Sequence, residues 1–148
     1  IEAMQHRPLS EIAAEPWVAD PLRPILARHG AAVDAVRRKA RVEGGVVMVD
    51  LADTGIEGAN KFIAYHLFPE ARYTVVVTKD SKRTKVSVGS NPWARPPRAH
   101  DISKLCERYG GGGHPVVGAV SLAGDRVEDA RRIAGEIAAA LRAGPDAS

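Results

Sequence analysis

Tyr109-Gly110-Gly111-Gly112-Gly113-His114-Pro115 is the stretch on which the reading of this chain turns. Glycine loses more backbone freedom on folding than any other residue, so four in a row occur only where something requires them. Stripped of side chains, successive N–H groups can converge on an anion. His114 follows at once and can donate a hydrogen bond, carry a positive charge, or both. Residues 110–114 therefore read as a phosphate-binding loop. The run lacks the Gly-Lys-Ser/Thr of a P-loop, and it leads into a strand, which excludes a dinucleotide fingerprint. A plain helix-to-strand turn is the bland alternative, but that needs only one glycine.

Working outward, Asp101 caps a short helix that turns Ile102, Leu105 and Cys106 inward and ends at the glycines. Val116 to Leu122 is a strand on the far side. Upstream, residues 89–100 hold Pro92, Pro96 and Pro97 without any period and form a loop. Tyr73–Thr78 and Thr84–Val88 flank Lys79-Asp80-Ser81-Lys82-Arg83 as a hairpin with a basic tip. Val46-Val47-Met48-Val49 is an apolar, β-branched run, hence a strand buried on both faces. Residues 50–58 form a loop, and Ala59, Phe62, Ile63, His66 and Leu67 repeat at helical spacing until Pro69.

Residues 1–20 show no sustained period and read as a connecting segment. Asp20-Pro21 opens a helix whose stripe is Leu22, Ile25, Leu26, Val33, Val36 and Ala40, with Gly44-Gly45 as its stop. A last helix has Asp125 and Glu128 at capping-box spacing and a stripe of Val127, Ala130, Ala134, Ile137 and Leu141. The sum is an α/β fold with a mixed β-sheet of about four to five strands flanked by helices, in a single domain. Its limits are a linker and first helix over 1–45, the domain over 46–143 and a disordered tail over 144–148.

The 148 residues carry a net charge of +3, with 45% hydrophobic and 26% charged side chains, which suits one globular domain. The mild basic excess tilts toward anionic partners without reaching the balance of duplex-DNA binders. No apolar run is long enough to span a bilayer. A single cysteine rules out an internal disulfide or a multi-cysteine metal cluster, and with no signal-peptide pattern it points to the cytoplasm. Since the chain starts at Ile1, we expect a piece of something longer.

Asp101-Ile102-Ser103-Lys104-Leu105-Cys106-Glu107-Arg108-Tyr109 followed by Gly-Gly-Gly-Gly-His resembles the C-terminal substrate-binding (DHH-associated) domain of the DHH-family phosphoesterases. The match is best over residues 84–122. The resemblance implies that Gly111, Gly112, Gly113 and His114 bind the ligand. It implies a separate upstream domain bearing an Asp-His-His motif and a manganese pair, which would do the chemistry. No Asp-His-His occurs in this chain, so we expect no cofactor here and no hydrolysis by it alone. The ligand would be a nucleotide, a short single-stranded nucleic acid or another phosphorylated compound, with short oligonucleotides favoured.

One departure stands out. Many members carry an Arg-Ser pair just after the strand before the loop, where this chain reads Gly89-Ser90-Asn91. Ser90 and Asn91 can still hydrogen-bond a phosphate, and Arg95 or Arg98 can supply the cation. Trp93 sits in the same loop, either as a platform for a base or as a plug at the core edge. Asp50 and Asp53 read as loop and cap residues, His66 as a core histidine and Cys106 as core. The rival readings are a stand-alone single-stranded nucleic-acid-binding module like that of alanyl-tRNA synthetases, a fragment of a polyphosphate or cyclic-dinucleotide phosphohydrolase, and a structural remnant without ligand.

Overall fold

Val46 to Asp50 is the strand β2, and its alternation decides how the two faces of the sheet are filled. Val46 faces one side with Tyr73, Val75 and Val77, while Val47 and Val49 face the other. The computed structural model describes residues 2–56 and 60–144, so Ala59, the loop end at 57–58 and all but Gly144 of the tail expected over 144–148 lie outside the described residues. Its remaining elements are α1 (Glu2–His6), α2 (Leu9–Ala14), α3 (Pro16–Lys39), β1 (Ala40–Glu43), α4 (Phe62–Leu67), β3 (Tyr73–Lys79), β4 (Arg83–Ser90), α5 (Ile102–Glu107), β5 (Gly112–His114), β6 (Val117–Ala123) and α6 (Val127–Ala143).

The strands form one mixed sheet in the order β1-β2-β3-β4-β6-β5. Only β2 and β3 run parallel, and the crossover between them carries α4, as a parallel pair requires. The α/β class thus holds, with six strands where four to five are expected from sequence. The two additional strands are the edges. β1 was hidden because Gly44-Gly45 reads equally as a helix stop. With φ of +54° and +77° these glycines instead make the two-residue turn of a β1–β2 hairpin. β5 was hidden inside the glycine run itself.

One face of the sheet is covered across most of its width. Ala130, Ile133, Ala134, Ile137 and Ala138 of α6, with Ile102, Leu105 and Cys106 of α5, pack on Val75, Val77, Val86, Val88 and Val120. Asp101 caps α5 as the sequence indicates, its carboxylate accepting from the Ser103 and Lys104 amides. Cys106 is fully buried, and that burial pushes its thiol up to about 11. The expected Asp125 cap on α6 is not made: Arg126 occupies the N-cap position, without a side-chain cap bond.

The opposite face is covered only in part. Ala32, Ala35 and Val36 of α3 and Ile63 and Ala64 of α4 sit over Val47, Val49 and Leu51. Beyond β3 the register carries Val76 to Ser87 to Ala119 to Gly112, and Thr78 to Lys85 to Ser121. These side chains are short or polar, and each is half-buried or exposed. Half of this face is therefore left open.

α3 begins at Pro16 and not at Asp20, and the short helices α1 and α2 precede it within the segment that showed no period in sequence. Pro16 fills the first helical position, where its missing N–H costs nothing, whereas Pro21 and Pro24 fall inside the helix. From Asp20 to Ala31 every residue is exposed, so Leu22, Ile25 and Leu26 do not join the core stripe.

Gly135 lies within α6, and no atom stands within 4 Å of where its Cβ would be. Gly135→Ala should raise stability by about 0.5–1 kcal/mol, since glycine in a helix interior costs that much relative to alanine. Urea unfolding of the two proteins measures it.

Candidate functional site

Only Gly110 and Gly111 of the glycine run lie outside regular structure. Gly112 to His114 is an edge strand, paired Gly112 to Ala119, Gly113 to Gly118 and His114 to Val117. A Cβ at Gly111 would lie 2.2 Å from the Ala119 carbonyl oxygen, and one at Gly113 would lie 2.3 Å from that of Val117. Gly113 also has a φ of +154°. Two of the four glycines are thus dictated by close backbone approach. A third, Gly110, has a φ of +73°, in the left-handed region. The Gly110 amide donates to the Glu107 carbonyl and the Gly111 amide to that of Cys106, each at 3.0 Å. They close the end of α5 and are not donors for an anion.

His114 ends this strand with its side chain exposed. Across the sheet it lies in the row Thr74–Gly89–Val117–His114. That row is on the partly open face, because Thr74 Oγ1 meets the Tyr65 hydroxyl of α4 at 3.1 Å. Beside it a cleft of about 610 Å³ runs over the uncovered strands, lined among others by Lys61, Thr78, Lys85, Ser87 and His114. Arg83 and Asp80 close its far end and pair with each other at 3.3 Å. Backbone N–H groups of Lys82 and Arg83 hold the Asp80 carboxyl below its usual range. The cleft is therefore backed by sheet and joins an apolar lining, Val36, Val49, Ala64 and Val76 among it, to the cations Lys61, Arg83 and Lys85.

Lys61, Lys85 and Ser87 are not among the site residues named from sequence. The signal existed for two of them: strict alternation with Val86 and Val88 puts Lys85 and Ser87 on the opposite face.

The segment 89–100 resolves the other candidates. Gly89 stands where the resemblance expects arginine, and a Cβ there would lie 2.6 Å from the Tyr65 hydroxyl. Tyr65 occupies that volume, and its burial raises the phenol above its ordinary value. Ser90 donates its hydroxyl to the Val116 carbonyl at 3.0 Å. Asn91 is buried, donates to the Pro69 and Ala71 carbonyls and accepts from the Trp93 amide. All three of these bonds are internal, so Asn91 anchors the loop in place of contacting a phosphate. Arg98 donates to the His100 carbonyl and borders a second cavity of about 330 Å³, which shares Lys61 and Val117 with the first. Arg95 borders a third cavity together with Trp93. Trp93 is 69% exposed and is not a core plug.

His66 is exposed, contrary to its expected core place. The buried histidine is His100, whose Nδ1 lies 3.0 Å from the Tyr73 hydroxyl. Asp50 and Asp53 both accept from Arg131 of α6, and Asp50 also accepts from the Ala52 amide. They tie the end of β2 and the turn after it to α6, a long-range role beyond the loop and cap roles read from sequence. Among the described residues no group of three or more His, Cys, Asp or Glu is gathered to hold a metal, and no helix is long and apolar enough to cross a membrane.

Gly111→Ala and Gly112→Ala should separate packing from flexibility. The first forces a Cβ into the β6 backbone and should cost about 1–3 kcal/mol. The second meets open space and should leave the melting temperature almost unchanged. Thermal unfolding of the pair reads the difference.

No family model matches the chain, and no curated protein sequence does. Solved structures do. The pGpG-specific phosphodiesterase PggH from Vibrio cholerae superposes with a TM-score of 0.83 at 23% identity, over 97% of this chain and 49% of that one. An exopolyphosphatase-related protein from Bacteroides fragilis gives 0.56 at 14% identity, over 78% and 35%. This chain thus spans about half the length of the first and about a third of the second. At these identities the likeness is one of fold.

Proposed function

We propose that this chain is the ligand-holding domain of a DHH-type phosphodiesterase and binds a phosphorylated ligand in the open-face cleft. The observation that carries this reading is the placement of His114, Lys85, Ser87 and Lys61 around one uncovered patch of sheet. Lys61 and Lys85 supply point charges, Ser87 a hydroxyl, and His114 a ring N–H from the edge strand. Rigid strands hold three of the four, so little ordering is needed when an anion enters.

The favoured ligand is a short oligonucleotide or a related phosphodiester. PggH, whose name specifies a dinucleotide, supports that choice through its likeness over nearly the whole of this chain. Hydrolysis is assigned to an upstream Asp-His-His domain with its manganese pair. The residues described here offer no comparable ligand set, and their part is to grip and orient the substrate.

A second reading, a module for single-stranded nucleic acid, is favoured by one specific feature. Of the basic residues at the hairpin, Arg83 and Lys85 lie on the open face and line the same cleft as His114. Steep weakening by salt and tighter binding of longer strands would favour it. The paired Gly110 and Gly111 amides suit a ligand-free remnant, but the open cationic cleft does not.

His114→Ala should weaken binding of a 5′-phosphorylated dinucleotide by roughly 10- to 150-fold, the range for a hydrogen bond to a charged group. Its exposed side chain makes the change neutral for folding. Calorimetric titration of both proteins tests this, and equal affinities would remove His114 from the site.

A further inference from the structure

Trp93 and Phe62 are 69% and 44% exposed, and their ring centroids lie 5.8 Å apart at 55°. Indoles are usually highly buried, so one held in water by an ordered loop calls for a physical reason. This loop is pinned at both ends. Asn91 fixes its start through the Pro69 and Ala71 carbonyls. The Tyr73 hydroxyl fixes its end by accepting from the Ala99 and His100 amides at 2.6 and 3.1 Å.

Behind Trp93 the aromatic contacts continue inward. Phe62 meets Tyr65 edge-on at 6.2 Å, and the Lys61 ammonium lies 5.3 Å from the Phe62 ring centre. Lys61 also borders the phosphate cleft, so a row of rings leads from that cleft to the loop. Arg95 and Arg98 flank the row, against the single carboxylate of Glu70. A tilted ring pair leaves no slot for intercalation, but it backs the indole and leaves its outer face free.

We propose that Trp93, braced by Phe62, is a nucleobase shelf, so that the cleft takes a nucleotide or short oligonucleotide in preference to an inorganic polyphosphate. The proposal rests on the phosphate-binding reading of the cleft. Every base offers a π-face to an indole, and arginines beside a stack add cation–π attraction and phosphate contacts. A polyphosphate has no group that gains from either ring.

The chain has two tryptophans, so a Trp17→Phe background leaves Trp93 as the sole indole. We would titrate it with a 5′-phosphorylated dinucleotide and, separately, with inorganic tripolyphosphate, following indole fluorescence and calorimetric heat. The expected result is quenching by the dinucleotide alone. Trp93→Ala should bind the dinucleotide roughly 5- to 150-fold more weakly and tripolyphosphate unchanged, with Trp93→Phe recovering much of the loss. If both probes bind but Trp93→Ala affects neither, or both equally, the shelf is refuted while the phosphate site stands. If neither probe binds, the phosphate site fails and the shelf fails with it.

Discussion

The backbone of β5 presses directly on that of β6, and the geometry of the candidate site depends on this contact. It is possible only because Gly111, Gly113 and Gly118 lack side chains. A Cβ at Gly118 would lie 2.7 Å from the Cys106 sulfur, so the same strand is pinched from the α5 side as well. The contact carries His114 to the end of the row shared with Gly89 and Thr74. Loosen it, and the imidazole leaves the cleft it lines.

Unequal helix cover does the rest. α5 and α6 provide enough apolar surface to bury one side of the sheet, and α3 with α4 covers the other only over β2 and its neighbourhood. An uncovered sheet face must carry side chains that water tolerates, and Thr78, Lys85, Ser87 and Ser121 meet that need. These polar side chains on the open face are thus first a solvation requirement. The cleft's surplus of cations over the single Asp80 carboxylate is what turns a wet face toward anions.

Where the sequence was legible, its signals were short in range. The run at Val46, the hairpin around Lys79–Arg83, the Asp101 cap and the α6 stripe each rest on neighbours a few residues apart. What was hidden depended on distant contacts. Gly44-Gly45 could end a helix or turn a hairpin, and only the pairing of Arg41 with Met48 decides between them. Gly111 and Gly113 suggested amides offered to an anion, when the demand came from β6. The exchange of an expected arginine for Gly89 is explained by Tyr65, far away in sequence and adjacent in space. Asn91 looked like a ligand because its polarity is visible in sequence and its carbonyl partners are not. Trp93 was open to two readings until its exposure separated them.

The edges of the sheet bear on how the molecule behaves at high concentration. Any unpaired strand edge is a template on which another chain can add by main-chain hydrogen bonding. Here one edge, β5, is three residues long and two of those are glycine, so it offers little length and almost no side-chain grip to an incoming strand. The other, β1, is four residues long and carries Arg41 and Glu43. Short, charged or featureless margins of this kind resist edge-to-edge growth. The glycines that seat His114 thus also blunt the sheet against self-association into fibrils.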